Sequence, residues 1–171
     1  MNQPRAASDL IAHSSPAHCS QLMTHIEHRR GEFVVTTDPA RLDLDFIHGY
    51  LVRSYWAAGI PRETVERSVA NSLAFGVYER TEQVGFARVI TDYATFAYLA
   101  DVFIIESHRG RGLSKFLMQC ITEHPQLQGL RRRVLATLDA HGLYAQFGFG
   151  QLKSPERYME AFDPDVYKRN S

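Results

Sequence analysis

The sequence has little of what would indicate a metal site, a disulfide framework or a charged binding surface. It has two cysteines, Cys19 and Cys120, which form neither a Cys-x-x-C motif nor the ligand spacing of a metal site. Lys plus Arg and Asp plus Glu both number 19, so the formal net charge is zero. A neutral chain does not attract a nucleic-acid backbone or an anionic membrane surface in bulk. We therefore expect no metal, no nucleic-acid partner and no membrane partner, and any anion site has to be local.

Long apolar runs are also missing. No run approaches the roughly 20 residues that span a bilayer. No apolar stretch follows Arg5, as it would in a secretory signal. A disulfide between Cys19 and Cys120 is disfavoured, because two cysteines without a framework suit the reducing cytosol better. We therefore expect a cytoplasmic protein.

What is present fits one folded unit after a polar leader. The chain has 171 residues, 44% of them hydrophobic and 22% charged, which is long enough for one core and short for two. Residues 1–30 are polar with little periodicity, so we expect a mobile leader there, with Met23 as a second candidate for the initiating residue. Residues 31–171 are expected to form a single domain.

Residue periodicity predicts a mixed α/β fold. Two short connections in the middle of the chain predict an antiparallel meander of three strands. A helix before the following strand predicts a parallel pair. The order is β-α-α-β-β-β-α-β-α-β, a mostly antiparallel sheet flanked by helices. The predicted elements are strands at 33–37, 73–78, 84–90, 96–105 and 134–138 and between 151 and 162, and helices at 42–50, from 61, from 113 and at 140–147.

The segment Arg109-Gly110-Arg111-Gly112 lies between the longest predicted strand and a helix. Glycines let a backbone approach a phosphate closely, and the first amides of a helix are unpaired and point outward. The amides of residues 110–114 and the side chains of Arg109 and Arg111 are therefore candidate ligands for a pyrophosphate.

Other phosphate-binding patterns fit this turn less well. A P-loop requires G-x-x-x-x-G-K-[ST], which is absent. A dinucleotide fingerprint, G-x-G-x-x-G, is met by Gly110 and Gly112 but has Lys115 at its third glycine. The arginines at 131–133 would suit the extra phosphate of NADP, which keeps that interpretation open. A plain strand-to-helix turn without a ligand is the remaining alternative.

The turn resembles the coenzyme A motif of the GNAT superfamily of N-acetyltransferases, Arg/Gln-x-x-Gly-x-Gly/Ala. Arg109 and Gly112 take the first two defined positions, and Ser114 stands where the family has Gly or Ala. Glu106-Ser107 replaces the Pro-Glu pair that usually precedes the motif. Downstream, Leu143-Tyr144-Ala145-Gln146-Phe147-Gly148-Phe149 is similar to the family's L-Y-x-x-x-G-F. The resemblance covers residues 31–162 in the family's order of elements.

The resemblance implies an enzyme that moves an acetyl group from acetyl-CoA to a primary amine of a small molecule or a protein, by direct attack in a ternary complex. In the family the long strand splays from its neighbour, and its freed edge binds pantetheine and polarises the thioester. Thr137 stands where many members carry an Asn that contacts the cofactor. The implied cofactor-binding residues are Phe103, Ile104, Ile105, Arg109, Gly110, Arg111, Gly112, Leu113, Ser114 and Thr137.

Two residues are candidates for the proton transfers. By the two-residue period of a strand, Asp101 shares a face with the apolar Leu99 and Phe103, and a lone carboxylate there is a candidate general base or substrate anchor. The alternative is a structural carboxylate paired with Arg88. Tyr144 stands where the family places the tyrosine that protonates the departing thiolate. The alternative is a core aromatic residue.

The acceptor side is less well indicated. In the family the first two helices and their connection wall the acceptor pocket, and here that connection contains Tyr55 and Trp56. We expect these two to bind an apolar or cationic group, the alternative being that the only Trp fills the core. Asp43, Asp45 and Glu63 favour a cationic acceptor. The oligomeric state, a homodimer included, is not indicated.

A second interpretation of the chain is a non-catalytic module of the same fold that binds acyl-CoA as a sensor or serves as an interaction surface.

Overall fold

The structure is a computed structural model, and it describes residues 25–169. Six strands form one sheet in chain order: β1 (Glu27–Arg30), β2 (Phe33–Thr36), β3 (Leu73–Glu79), β4 (Glu82–Thr91), β5 (Phe96–Ile104) and β6 (Arg132–Val134). The α-helices of this range are α1 (Leu44–Leu51), α2 (Arg62–Ala70), α3 (Leu113–Glu123) and α4 (His141–Ala145). None of the helices in residues 25–169 has the length and apolar character needed to cross a bilayer.

The sheet is mixed, as the sequence predicts. β1 to β5 pair antiparallel with their neighbours, and β6 pairs parallel with β5. The antiparallel pairs β3–β4 and β4–β5 follow from two short turns, whereas the parallel pair requires the crossover through α3. The predicted fold class is therefore confirmed.

Helices cover both faces of the sheet. The first face packs on α3 and α4, and its fully buried side chains include Leu117, Met118 and Val77. The second face packs on α1 and α2, with Ile47 and Val65 fully buried. Burying such a side chain contributes about 1.5–3 kcal/mol, so these two clusters fix the helices on which the site is built.

Both ends of the domain differ from the prediction. β1 lies within residues 1–30, which were expected to be a leader, and pairs with β2 across a turn that holds Gly31 at a φ of 61°. Its sequence, EHRR, is polar because it is an exposed edge strand, so hydrophobic periodicity does not detect it. Residues 1–24, including Cys19 and Met23, lie outside the described residues.

The last predicted strand, between 151 and 162, is wrong. That segment is irregular apart from a 3-10 turn at Pro155–Arg157. Pro155 has no N–H to donate to a ladder, and the charged residues around it leave no alternating apolar face. β6 is also shorter and earlier than the predicted strand 134–138.

A β-bulge in β5 changes which side chains share a face. Phe86 lies opposite Phe103 and Arg88 opposite Ala100, so a single β4 residue faces two residues of β5. Asp101 lies in the bulge, with a left-handed φ of 54°. The two-residue period is therefore broken, and Phe103 packs against α1 and α2 whereas Leu99 packs on the α3 side. The single face predicted from Leu99 to Phe103 is wrong for this reason.

Candidate active site

β5 and β6 separate after a short stretch of pairing. Their register runs from Phe96 opposite Arg132 to Tyr98 opposite Val134, and β6 ends there. Within residues 25–169, no strand pairs with this edge of β5 from residue 99 onwards. We call the gap between residues 99–104 of β5 and the chain after Val134 the opening.

Backbone polarity along β5 determines which residue faces the opening. The N–H of Ile105 donates to the Val84 carbonyl at 3.0 Å, toward β4. Since successive backbone groups alternate in direction, the N–H and C=O of Ile104 point away from β4. The Ile104 carbonyl accepts from Arg109 Nε at 3.2 Å. Of the three residues predicted here, Ile104 presents its backbone to the opening, whereas Phe103 and Ile105 face β4.

The glycine turn connects the end of β5 to α3. Gly110 and Gly112 have φ values of 75° and 72°, which L side chains rarely adopt. Gly112 caps α3, and the buried side chain of Leu113 anchors the first turn in the core. None of the backbone amides of residues 110–115 donates a hydrogen bond to another group of the described chain. Unpaired amides at a helix N-terminus suit an anion, and the binding of a pyrophosphate here stays a prediction.

The two arginines of the turn point in different directions. Arg109 lies along the opening, where its Nη2 donates to the Tyr50 hydroxyl at 3.1 Å. Arg111 turns away, because its Nη2 donates to Glu79 Oε1 at 2.8 Å and its guanidinium lies 4.6 Å from the centre of the Phe33 ring. A contribution of Arg109 to pyrophosphate binding stays a prediction, whereas the Arg111 side chain, predicted to do the same, holds the turn against β2 and β3.

Tyr144 is buried on α4 at the α3 side of the sheet. Its ring packs edge-on against Phe149, with the centroids 6.1 Å apart. Burial raises the pKa of Tyr144 to about 12, with smaller contributions from Tyr55 and Asp139. Its hydroxyl has no hydrogen-bond partner within residues 25–169. Tyr144 is therefore a phenol that stays protonated near neutral pH and lies in the electrostatic range of Tyr55.

Asp101 is engaged at both carboxylate oxygens. Oδ2 pairs with Arg88 Nε, and Oδ1 accepts from Trp56 Nε1 at 3.2 Å. The Asp101 side chain is only 9% exposed and that of Arg88 16%. The sequence allowed an ion pair with Arg88 as the alternative to a catalytic role, and that ion pair is present. A role for Asp101 as general base or substrate anchor stays a prediction.

Tyr55 and Trp56 lie in the connection between α1 and α2, as predicted, and they do not fill the core. Tyr55 is 59% exposed and Trp56 40%. Their rings meet edge to face, with centroids 4.9 Å apart and an interplanar angle of 81°. The Tyr55 hydroxyl accepts from the Leu138 amide at 3.3 Å. Both residues therefore lie at the opening, together with Asp101 and the chain that leads into α4.

Comparison with known proteins agrees with this geometry. The sequence profile of the acetyltransferase (GNAT) family matches residues 41–149. The chain belongs to the GNAT family. A “putative acetyltransferase” of Gibberella zeae is 35% identical over 140 residues, which are 68% of this chain and 78% of that protein. GNAT membership makes this protein an acetyl-CoA-dependent acyltransferase.

Solved structures share the fold. A “putative acetyltransferase belonging to the gnat family” from Xanthomonas campestris pv. campestris is 51% identical, with a TM-score of 0.77 over 79% of this chain and 96% of that chain. A “predicted acetyltransferase” from Clostridium acetobutylicum, crystallised with acetyl-CoA, is 11% identical, with a TM-score of 0.55 over 81% of this chain and 94% of that one. The second comparison concerns the fold alone.

Other predicted positions take structural roles in this GNAT domain. Thr137 Oγ1 accepts from the Ala140 amide at 3.1 Å in the turn before α4, and its contact with the cofactor stays a prediction. Asp43 caps α1 by accepting from the Phe46 amide at 2.9 Å, and Asp45 pairs with Arg62. These two carboxylates, predicted to favour a cationic acceptor, are thus engaged elsewhere.

The dinucleotide interpretation does not fit the structure. Arg131 precedes β6 and Arg132 begins it, opposite Phe96 at the start of β5, whereas the glycine turn follows the end of β5 at Ile104. Eight residue-to-residue steps separate Phe96 from Ile104, roughly 26 Å at ~3.3 Å per step. These arginines and the glycine turn cannot hold neighbouring phosphates of one NADP molecule.

A groove of about 810 Å³ lies elsewhere on the domain. It is lined by Leu42, Val69 and Leu73, among others. Leu73 begins β3, whereas Glu79, which contacts the glycine turn, ends it. The groove is therefore at the opposite end of β3 from the candidate site.

The sequence does not predict the residues of other strands that contact the glycine turn and hold it in place. Glu79 accepts from Arg111 and lies 3.0 Å from His108 Nε2. The hydrogen bond with His108 has the largest effect and that with Arg111 the second largest. Together they hold the pKa of Glu79 below its ordinary value of 4.5. Arg30 Nη2 donates to the Arg111 carbonyl at 3.3 Å, and its guanidinium covers Phe116. No local motif marks these residues, because they come from β1 and β3, far from the turn in sequence.

Proposed function

We propose that this GNAT enzyme transfers the acetyl group of acetyl-CoA to a primary amine by direct attack in a ternary complex. The observation that carries the proposal is the combination of unpaired amides at residues 110–115 with an unpaired edge of β5. The amides suit a pyrophosphate. The β5 edge beyond residue 98 pairs with no strand of the described chain, so an extended chain such as pantetheine can lie along it. Acetyl-CoA supplies an activated acyl group when it is bound there.

The reaction requires two proton transfers. The amine arrives mostly as an ammonium ion and must lose one proton before its lone pair can attack the thioester carbonyl. A C–N bond then forms, the C–S bond breaks, and the electron pair leaves on sulfur. The nitrogen loses its second proton and the thiolate gains one, so the products are an amide and coenzyme A as a thiol. The outward N–H of Ile104 is the donor that we assign to the developing oxyanion.

Tyr144 is the proton donor that we assign to the thiolate. Its phenol is protonated at neutral pH, and because burial raises its pKa to about 12, it is a weaker acid than an exposed tyrosine and donates only to a thiolate held beside it. Its hydroxyl is not committed to a partner in the described chain, so it can donate to a ligand atom. After the transfer, the phenolate recovers a proton from solvent.

Asp101 is the residue that we assign to the amine side. Its carboxylate lies at the bulge of β5, the strand that borders the opening, and accepts a hydrogen bond from Trp56. A left-handed φ at a residue other than Gly costs roughly 1 kcal/mol and is tolerated best by Asn and Asp, which is consistent with a functional position. The ion pair with Arg88 fixes the carboxylate, so Asp101 either accepts the amine proton or orients the acceptor.

Tyr144→Phe tests the assignment of the acid. The variant keeps the packing of the ring, so we expect the Kd of acetyl-CoA, measured by calorimetry, to change less than twofold. We expect kcat for amine acetylation to fall about 10²–10⁴-fold, the usual contribution of a positioned proton donor. If the Kd rises as much as kcat falls, Tyr144 is a structural residue.

The competing function is a non-catalytic module that binds acyl-CoA. Release of coenzyme A from acetyl-CoA that depends on an added amine distinguishes the enzyme from the module, which shows binding without release. Calorimetry with NADPH is the matching control for the cofactor. Tight binding of NADPH without binding of coenzyme A would contradict the proposal.

We also propose that the enzyme works in the cytoplasm. The support is chemical, because Cys120 is a free, buried thiol, and free cysteines are typical of reducing compartments. Retention of activity in millimolar glutathione would agree with this, and a requirement for oxidising conditions would oppose it.

A further inference from the structure

Two consecutive residues of the α1–α2 connection contact opposite sides of the opening. Trp56 Nε1 donates to Asp101 Oδ1 on β5 at 3.2 Å. The Tyr55 hydroxyl accepts from the amide of Leu138, in the chain between β6 and α4, at 3.3 Å. We call Tyr55-Trp56 the strap, because it joins the two sides where β5 and β6 have separated.

Hydrogen bonds within the α1–α2 connection hold the strap in one geometry. Ser54 Oγ donates to the Leu51 carbonyl at 2.8 Å and accepts from the Ala57 amide at 3.2 Å, and both Ser54 and Ala57 are buried. Gly59 closes the connection by donating its N–H to the Val52 carbonyl at 3.0 Å. A connection with this many internal hydrogen bonds is ordered rather than a free loop, so the strap can select among ligands.

Tyr55 and Trp56 are both exposed to solvent. Both polar ends are used in the hydrogen bonds to β5 and to Leu138, while much of each ring remains exposed. Behind them, Tyr50 stacks on Phe103 at a centroid distance of 3.8 Å and lies 6.3 Å from Trp56. The opening is therefore bordered by a continuous aromatic surface from the sheet to solvent.

Negative charge at the opening is scarce. The charge of Asp101, which we assign to the amine side, is offset by the ion pair with Arg88, and the connection carrying the strap has a single charged side chain, Arg53. On the α4 side, the negative charge of Asp139 contributes to the raised pKa of Tyr144, and Asp139 forms no ion pair within residues 25–169. One free carboxylate suits one ammonium group, whereas a polyamine would leave its further charges unpaired.

We propose that the strap selects a primary amine with a single charge and an aromatic body, which stacks on Trp56 and Tyr55. This inference rests on the proposed acetyl transfer to an amine. Stacking of an aromatic group on an aromatic side chain is favourable beyond the burial of its area. The structure thus favours arylalkylamines over aliphatic amines of similar length and over polyamines.

The first test compares kcat/KM for phenylethylamine, butylamine and spermidine. We expect phenylethylamine to exceed the other two at least about tenfold, the factor equivalent to ~1.4 kcal/mol. Trp56→Leu, which keeps an apolar side chain but removes the ring, should bring the ratio of phenylethylamine to butylamine close to one. Trp56→Phe, which keeps a ring but removes the N–H, should preserve most of it. A preference for spermidine, or an unchanged ratio in Trp56→Leu, overturns the inference.

The second test does not depend on turnover. Trp56 is the only Trp of the chain, so its fluorescence reports on the strap alone. We expect phenylethylamine to change the emission of Trp56 saturably, and spermidine to leave it unchanged. If the emission responds in this way but no amine is acetylated, acetyl transfer is the wrong part of the account. If amines are acetylated without aromatic preference and without a change in emission, the strap inference is wrong and the acetyl transfer stands.

Discussion

Arg111 Nη2 donates to Glu79 Oε1 at 2.8 Å, so a side chain from the middle of the coenzyme A motif is bound by the end of β3. His108, on the other side of Gly110, contacts the second oxygen of the same carboxylate at 3.0 Å. One carboxylate thus fixes both flanks of the glycine turn. The amides of the proposed pyrophosphate site are therefore positioned by a residue from another strand, β3.

Glu79→Gln should weaken binding of acetyl-CoA. The amide can keep one hydrogen bond, but it loses the charge that binds both His108 and Arg111. We expect the KM for acetyl-CoA to rise about fivefold, since exposed ion pairs contribute little, with kcat nearly unchanged. Glu32→Gln is the matched control, because Glu32 forms only an exposed pair with Arg80. An equal fall of kcat in Glu79→Gln, without a change in KM, would oppose a positioning role.

Gly85→Ala should disturb the edge of β5. A Cβ at Gly85 would lie 2.4 Å from Ile104 Cδ1 and 2.8 Å from the Phe103 carbonyl oxygen, so the backbone that carries the proposed oxyanion donor has to shift. We expect a loss of roughly 1–3 kcal/mol in the free energy of unfolding and a lower kcat.

The control for this change is Gly49→Ala in α1, where a Cβ meets nothing within 4 Å. Replacing a helical Gly by Ala should stabilise the fold by about 0.5–1 kcal/mol and leave kcat unaltered. Urea unfolding and steady-state kinetics of both variants provide the measurement. A neutral Gly85→Ala would show that the end of β5 is free to adjust.

The thiol of Cys120 should be unreactive in the folded protein. It is buried on α3, and burial raises its pKa from 9.0 to about 12, which lowers the thiolate fraction about a thousandfold. In a Cys19→Ser variant, we expect alkylation by iodoacetamide to require unfolding of the domain. Rapid alkylation of the native variant, at the rate of a free thiol, would contradict the burial of Cys120.

Stability should fall in alkaline solution because of two buried tyrosines. Burial raises the pKa of both Tyr78 and Tyr144 from 10.0 to about 12. Below pH 10 the phenols are protonated in the folded and the unfolded chain, so their ionisation does not reduce the free energy of unfolding. Between pH 10 and about 12 the unfolded chain releases these protons first, so the free energy of unfolding decreases as the pH rises. Urea midpoints measured across this interval should decrease less steeply in Tyr144→Phe than in the unaltered protein.

Much of the fold follows from local pattern. The meander, the parallel crossover and the glycine turn are each encoded within a few neighbouring residues: short turns, a helix between strands, and glycines at 110 and 112 with positive φ. The direction of the Arg111 side chain could not be predicted in this way, because it depends on Glu79, 32 positions away.

The bulge at Asp101 is the main failure of the strand pattern. A two-residue period assumes regular pairing, and one extra residue reverses the faces of the residues that follow it. The edge strand β1 and the irregular segment after Gly150 were mispredicted for a related reason, since neither shows the apolar alternation that distinguishes a strand from a loop.

The most direct test of the account is the identity of the reaction product. The enzyme, acetyl-CoA and a primary amine, with phenylethylamine as the first choice, are incubated, and the mixture is analysed by mass spectrometry together with a thiol assay. The account predicts one N-acetylated amine for each coenzyme A released, and neither product above background when the amine is omitted. Release of coenzyme A without an acetylated amine, or binding of acetyl-CoA without release for any amine tested, would contradict it.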